Sequence, residues 1–480
     1  MCKRSFIVWL VILVVVLIFM SGQAEEYEEY PSDLNECDGF YYAIKDDNTA
    51  EIFSWNGYDS NMNDLTIPYE LDGYQVTSIN QQGQFYSGDT YSLTIPDCLT
   101  EIPTDPFVNM FELTRIEVSP DHPTLASIDG ILYSKSDKRL VSYPRAIVNE
   151  SFQVPDNIRS IGDYAFSCAR NLQAVVLPNS IESIGSHAFE GAVLSGIALP
   201  ESLVRIGDSA FSDCNELQTV EIQDSCIQIG DSAFTACGSL RSFYVSADNS
   251  TFASIDGVLY NKVEKMLIDF PAGNGMQSFT VPDGVLAIGD HAFQYCHDLF
   301  MVELPDSCTS IHREAFYGCE SLNTIMLSDA LLAIEDNAFF GCDFSRIWLP
   351  ESLVEIGANP FSYCYQLSEI EVSPESEHFA TIDNVLFNKD KKLLICYPYG
   401  LTYESYQIPN GIKGIGDYAF SGNGYLQLVT IPETVESIAE HAFDYVYLKL
   451  QVTRDTYAAQ YCKEHDLDYV YTDADDWLNS

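Results

Sequence analysis

Apolar residues recur along this chain with a period in the low twenties, anchored by an Ala-Phe pair. The anchor Phe falls at 166, 189, 211, 234, 293, 316, 339, 420 and 443, and Pro replaces Ala before Phe107 and Phe361. Neighbouring anchors lie 23, 22 or 59 residues apart. A fixed period of this length marks a stack of repeated supersecondary units, each contacting only its neighbours. Within the coil that follows Phe293, apolar residues fall at Leu299, Val302, Leu304, Cys308, Ile311 and Ala315. Val302 and Leu304 alternate with Glu303, which predicts a short strand with one buried face. Pro305 then stops the strand and turns the chain. A Gly three residues before the Ala of the next pair (Gly162, Gly185, Gly230, Gly289, Gly416) permits the following tight turn. No coil buries its apolar face alone; the stack buries it continuously.

The 59-residue gaps hold an extra coil with an embedded β-hairpin, near 119–147, 246–273 and 373–400. Phe107, Phe234 and Phe361 are 127 residues apart, as are Phe166, Phe293 and Phe420, so the array carries a super-period that reads as duplication of a multi-coil block. Two β-type runs, Phe40–Ile44 and Ala50–Trp55, predict a hairpin cap, with the cap and first coil covering 40–79 and the repeats proper 80–447. A C-terminal cap occupies 448–480, with helical spacing over Thr456–His465 and a last strand over Leu467–Tyr471. Twelve Phe-anchored coils and three hairpin coils at about 4.8 Å each predict a body about 70 Å long.

Lys3 and Arg4, an apolar run from Phe6 to Met20, and Ser21-Gly22-Gln23-Ala24 read as a signal peptide over 1–24. Fifteen apolar residues fall short of the roughly 20 needed to span a bilayer, and no second apolar segment follows, so no membrane span is expected after cleavage. An acidic, Tyr-rich lead-in follows at 25–39. Export places the protein outside the cell, secreted or at the cell surface. The 71 acidic against 23 basic residues give a net charge of −48. That excludes nucleic acid as a partner, since phosphates require Lys and Arg to displace their counterions, and disfavours anionic membranes.

Candidate chemistry is sparse. With Cys2 in the signal peptide, 13 of the 14 cysteines belong to the exported chain. Cys214, Cys237, Cys296, Cys319, Cys342 and Cys364 share one slot, filled elsewhere by Ala169, Ala192, Asn423 and Val446, which predicts a ladder of buried thiols rather than disulfides. Buried free thiols in an exported protein imply a weakly oxidising or anaerobic habitat. Asp163, Asp208, Asp231, Asp290, Asp336 and Asp417 share another slot and are expected to cap a short helical turn entering Ala-Phe. The competing reading is a Ca²⁺ ladder, with Asp163, Asp208 and Asp231 as its candidates; no dedicated metal set and no cofactor is expected. His187, His291 and His441 occupy a slot also taken by Tyr164, Ser209 and Ser232, which predicts a solvent-facing position. No Gly-x-Ser-x-Gly, His-Glu-x-x-His or phosphate-cradling loop is present, so no enzyme activity is expected.

The outward position between the two buried strand residues varies from coil to coil. In the middle coils Tyr244, Glu303, Met326 and Trp348, with neighbouring Phe300, Met301 and Arg346, predict an aromatic and Met-rich ligand-binding patch.

The motif Ile-Gly-Asp-x-Ala-Phe-x-x-Cys-x-x-Leu-x-x-Val-x-Leu-Pro resembles the repeat of BspA-type leucine-rich repeat proteins, and so does the Ile-Asp-Gly-Val-Leu-Tyr hairpin at Ile255–Tyr260. The likeness covers about residues 40–470. It implies a curved parallel-β solenoid with short helical or 3-10 turns on the opposite side, secreted or displayed on a microbial surface. It also implies a non-catalytic role in binding or adhesion to proteins on a host or neighbouring cell. The alternative is a glycan-binding or cell-wall-associated module, suggested by the abundance of Tyr.

Overall fold

Each repeat contributes two strands to two parallel ladders that run along the stack and are divided into separate sheets at the block boundaries. The computed structural model describes residues 34–57, 63–102 and 104–472. The predicted signal peptide and most of the predicted lead-in fall outside the described residues. Asn35–Cys37, inside that lead-in, instead pairs antiparallel with Phe40–Ile44 and adds a strand to the N-terminal cap. The whole is a β-solenoid of about 18 turns.

The predicted alternating strand forms the first ladder. Ala174–Val176, for example, pairs in register with Ser151–Gln153 on one side and Gly196–Ala198 on the other. The second ladder consists of two-residue strands one turn further along the coil: Ser160–Ile161, Ser183–Ile184, Arg205–Ile206 and Gln228–Ile229. The single α-helix among the described residues is Tyr457–Glu464 in the C-terminal cap, where the Thr456 hydroxyl accepts from the Ala459 N–H.

The side carrying Ala-Phe contains hydrogen-bonded turns rather than helix. In one coil Ala165 and Ser167 donate their N–H groups back to Gly162 and Tyr164, while Tyr164, Phe166 and Cys168 donate to Ser186, Ala188 and Glu190 of the next coil. Tyr164 and Cys168 have φ of 59° and 52°. Left-handed residues on either side of the Phe turn alternate donors along the stack, so this face satisfies its buried amides without a helix.

The core is a column of rings. Phe166, Phe189, Phe211 and Phe234 stack with centroids 4.9, 5.1 and 5.3 Å apart and planes within 5°. The hairpin coils extend the column with Tyr143, Phe270 and Tyr397. Phe270 lies 5.1 Å from Phe293, and its N–H donates to Ala292 as an ordinary anchor would. Counting Ala-Phe pairs misses these three rings because Ser142, Asp269 and Cys396 stand where the Ala would be and two of the rings are Tyr.

Each insert is a three-stranded antiparallel unit: Leu125–Ile128, Ile131–Ser134 and Arg139–Ser142, the last joining the short ladder beside Ser160–Ile161. Its tip docks against the other ladder, where Gly130 accepts the Ile116 N–H and Gly257, one super-period on, accepts that of Phe243. The hairpins therefore cross the stack and interrupt the outward sheet at each block boundary.

Candidate binding surfaces

The recurring Asp slot is structural. Oδ1 of Asp163 accepts the N–H of Ser186 at 2.8 Å, Asp208 that of Asp231 at 3.0 Å, and Asp417 that of His441 at 3.0 Å. The expectation that each Asp caps its own turn is corrected: the partner is the next coil, because the turn is not helical and its N–H groups point along the stack. Gly185 and Gly230 of the next coils make room for the Asp163 and Asp208 carboxylates, whereas after Asp417 the slot is Ala439 and the donor lies one residue further on. A Cβ on Gly230 would overlap Asp208 Oδ1 and lie 2.5 Å from the Asp208 backbone N. Asp163, Asp208 and Asp231 do not converge as a metal-ligand group among the described residues.

The thiol ladder is buried and free of disulfides among the described residues. Each thiol donates to the carbonyl of the preceding anchor Phe: Cys214 to Phe189 at 3.1 Å, Cys319 to Phe293 at 2.9 Å, Cys364 to Phe339 at 3.0 Å. The His slot differs from its predicted exposure. His291 is 5% exposed, and His187 and His441 stack on Tyr164 and Tyr418 with centroids 4.6 and 5.3 Å apart. The left-handed turn folds these side chains against the preceding coil, which a tolerant residue slot does not reveal.

Of the predicted patch, Phe300, Met326, Arg346 and Trp348 are exposed, while Met301 and Glu303 are half-buried. Glu303 pairs with Met326 across adjacent strands, and Trp348 occupies the outward position of the next coil. Tyr244 is 57% exposed but stands apart. The hairpin ending at Gly257 and the strand Ser278–Thr280 lie between its strand and that of Glu303. The structure thus brings together Met301, Glu303 and Met326, with Trp348 and Arg346 beside them, and leaves Tyr244 on the far side of a block boundary.

A larger aromatic surface lies on the turn side, one or two residues beyond the anchors. Tyr295, Tyr317, Phe340 and Tyr363 follow one another with centroids 5.8, 4.3 and 4.8 Å apart. Tyr363 continues to Tyr365 at 6.1 Å and to Tyr445 at 6.4 Å, and Tyr365 meets Tyr399 at 4.7 Å. Tyr365 and Tyr445 are exposed and the others half-buried. Burial raises the hydroxyl pKa of Tyr295 and Tyr363. Tyr295, Tyr363 and Tyr445 have φ of 57°, 59° and 57°, in a slot that Gly fills at 191, 318, 341 and 422. The slot is left-handed at Cys168, Asp213 and Ala236 as well, so the conformation belongs to the repeat and sets the Tyr rings on the turn surface. The signal was present in the sequence as Tyr recurring just past the Phe, on a side of the coil that strand alternation does not address.

Two clefts repeat one super-period apart beside the hairpins. One of about 520 Å³ is lined by Glu101, Asp137 and Arg139 among others; one of about 250 Å³ is lined by Asp231, Glu264, Asp269 and Asp290 among others. Burial raises Asp269 to about 8 with no compensating partner. It raises Asp105 to about 7 against the opposing influence of Ser142, the Phe107 N–H and Arg145.

Residues 142–259, 271–394 and 396–456 match, in 6 copies, the family described as the BspA type leucine rich repeat region. A search of curated proteins finds no match. Among solved structures the chain is similar to a leucine rich cell surface protein from Faecalibacterium prausnitzii, at 23% identity and TM-score 0.40, covering 94% of this chain and 97% of that one. It is also similar to the pneumococcal vaccine antigen PcpA (17%, 0.44, covering 92% and 98%). A third likeness is to a leucine-rich repeat protein from Eubacterium ventriosum (17%, 0.44, covering 86% and 95%). No helix among the described residues is long and apolar enough to cross a membrane.

Proposed function

This chain belongs to the BspA-type leucine-rich repeat family, and on that premise we propose that it is an exported, non-catalytic scaffold that binds a protein on a host or neighbouring cell. The observation that carries the reading is the aromatic stripe from Tyr295 to Tyr445. Tyr supplies large, rigid, amphipathic contact area at low entropic cost, and Tyr and Trp are enriched where binding energy concentrates. The Met326–Trp348 surface is a second contact region on the same coils. The acidic chain selects for a partner with basic character and against nucleic acid.

The same rings favour a second reading, since open Tyr faces such as Tyr365 and Tyr445 also suit the apolar faces of sugars. Screening the mature chain, from Glu25 onward, against arrays of extracellular proteins and of glycans separates the two. Protein binding with no glycan binding is expected; glycan binding alone replaces the first reading with the second, and binding to neither array counts against both.

A further inference from the structure

The Asp-to-next-coil bond that Asp163, Asp208, Asp336 and Asp417 make is missing at Asp290. In the coils after Phe293 and Phe316, the slot held by Gly185, Gly230 and Gly289 elsewhere is occupied by His312 and Glu335. Asp290 faces His312 where Asp163 and Asp208 face Gly185 and Gly230. Its Oδ1, the atom that Asp163, Asp208 and Asp417 use for this bond, is shielded from solvent and has no hydrogen-bond partner. The displaced donor, the Arg313 N–H, goes instead to Glu335 at 3.1 Å.

From these residues we infer a divalent transition-metal site formed by Asp290, His312 and Glu335 on three successive coils. Their ligand atoms all lie within 4.8 Å of one another, and they form the one such group of three among the described residues. One imidazole and two carboxylates suit zinc better than Ca²⁺, which takes six to eight oxygens. The Ser310 hydroxyl lies 3.2 Å from His312 Nε2, a contact that fixes the ring's orientation and leaves Nδ1 free to ligate. Asp290 also lines the 250 Å³ cleft with Asp231 and Glu264. The Arg313 guanidinium is the nearby cation, and Asp231, Glu314 and Asp336 outnumber it around the site. Three protein ligands leave a coordination position for water or for a donor from a bound partner. This inference stands independently of the protein-binding reading.

The test uses Zn²⁺ titration calorimetry on the reduced mature chain, with Co²⁺ absorption as a second readout. One Zn²⁺ per chain is expected, and Co²⁺ should give visible d–d bands without the near-ultraviolet charge transfer of thiolate ligation. His312→Gly restores the residue that other coils carry in this slot, so it should fold with an unchanged melting temperature in metal-free buffer and bind Zn²⁺ at least 100-fold more weakly. Glu335→Gln, which leaves the backbone and side-chain shape in place, should weaken binding similarly. No Zn²⁺ bound by the wild-type chain, binding unchanged in both variants, or a thiolate spectrum overturns the inference.

Discussion

Asp208 Oδ1 accepts the backbone N–H of Asp231 at 3.0 Å, directly over Gly230. The bond joins two coils through a space that only a missing Cβ leaves open. Gly230→Ala should therefore destabilise this junction by about 1–3 kcal/mol, the usual cost of overpacking. Asp208→Ala, which removes a charge-assisted bond, should cost about 1–3 kcal/mol. The double variant should cost less than the sum, because the alanine no longer meets the carboxylate. Since stability in a repeat array is local, native-state hydrogen exchange across these coils is the appropriate measurement. Additive effects would show that Gly230 and Asp208 act separately.

The buried thiols should be chemically silent in the native protein. Burial raises Cys214 to about 12 and Cys226 to about 11, and the thiolate is the reactive form. Of the 13 cysteines of the described chain, only Cys37, Cys98 and Cys168 are partly exposed. A disulfide-exchange reagent at pH 8 should titrate no more than these three before denaturant is added and the remaining ten afterwards. Rapid native reaction of the ladder thiols would contradict the packing described for them.

The stack was legible in the sequence because its demands are periodic. Phe211, Leu217, Val220 and Ile222 each recur at one offset, and each is buried. What the period does not encode is the backbone that joins those positions. Left-handed turns at Tyr164, His187 and His291 are filled by ordinary residues, so nothing in composition marks them, and the expected helical turns and exposed His slot follow from that silence. The anchors Tyr143, Phe270 and Tyr397 were hidden by a spacing of 36 rather than 22 or 23 after Phe107, Phe234 and Phe361. For the surfaces, alternation located Met326 and Trp348 on the outward sheet. It did not separate Tyr244, because the separation depends on where the Gly257 hairpin tip docks.

Asp269 makes the fold sensitive to pH between about 4 and 8. Its carboxyl is raised to about 8 by burial alone, above an unfolded value near 3.9. The folded state therefore holds the proton more tightly than the unfolded state, so this group's contribution is fully present below about pH 4 and is lost as pH rises through about 8. The loss is at most about 1.4 kcal/mol per pH unit. The side chains that share its environment are the thiols of Cys237 and Cys296. Asp269→Asn, neutral at every pH, should raise the melting temperature at pH 9 relative to wild type and change it little at pH 4. An equal effect at both pH values would place the carboxyl in contact with water.

The half-exposed rings from Tyr295 to Tyr445 are the proposed binding surface. Surface plasmon resonance of the mature chain and its Tyr365→Ala/Tyr445→Ala variant, against each extracellular protein that the wild-type chain binds, tests it most directly. Both side chains are exposed, so melting should be unchanged while affinity falls at least tenfold. Wild-type affinity in a folded double variant would contradict the account.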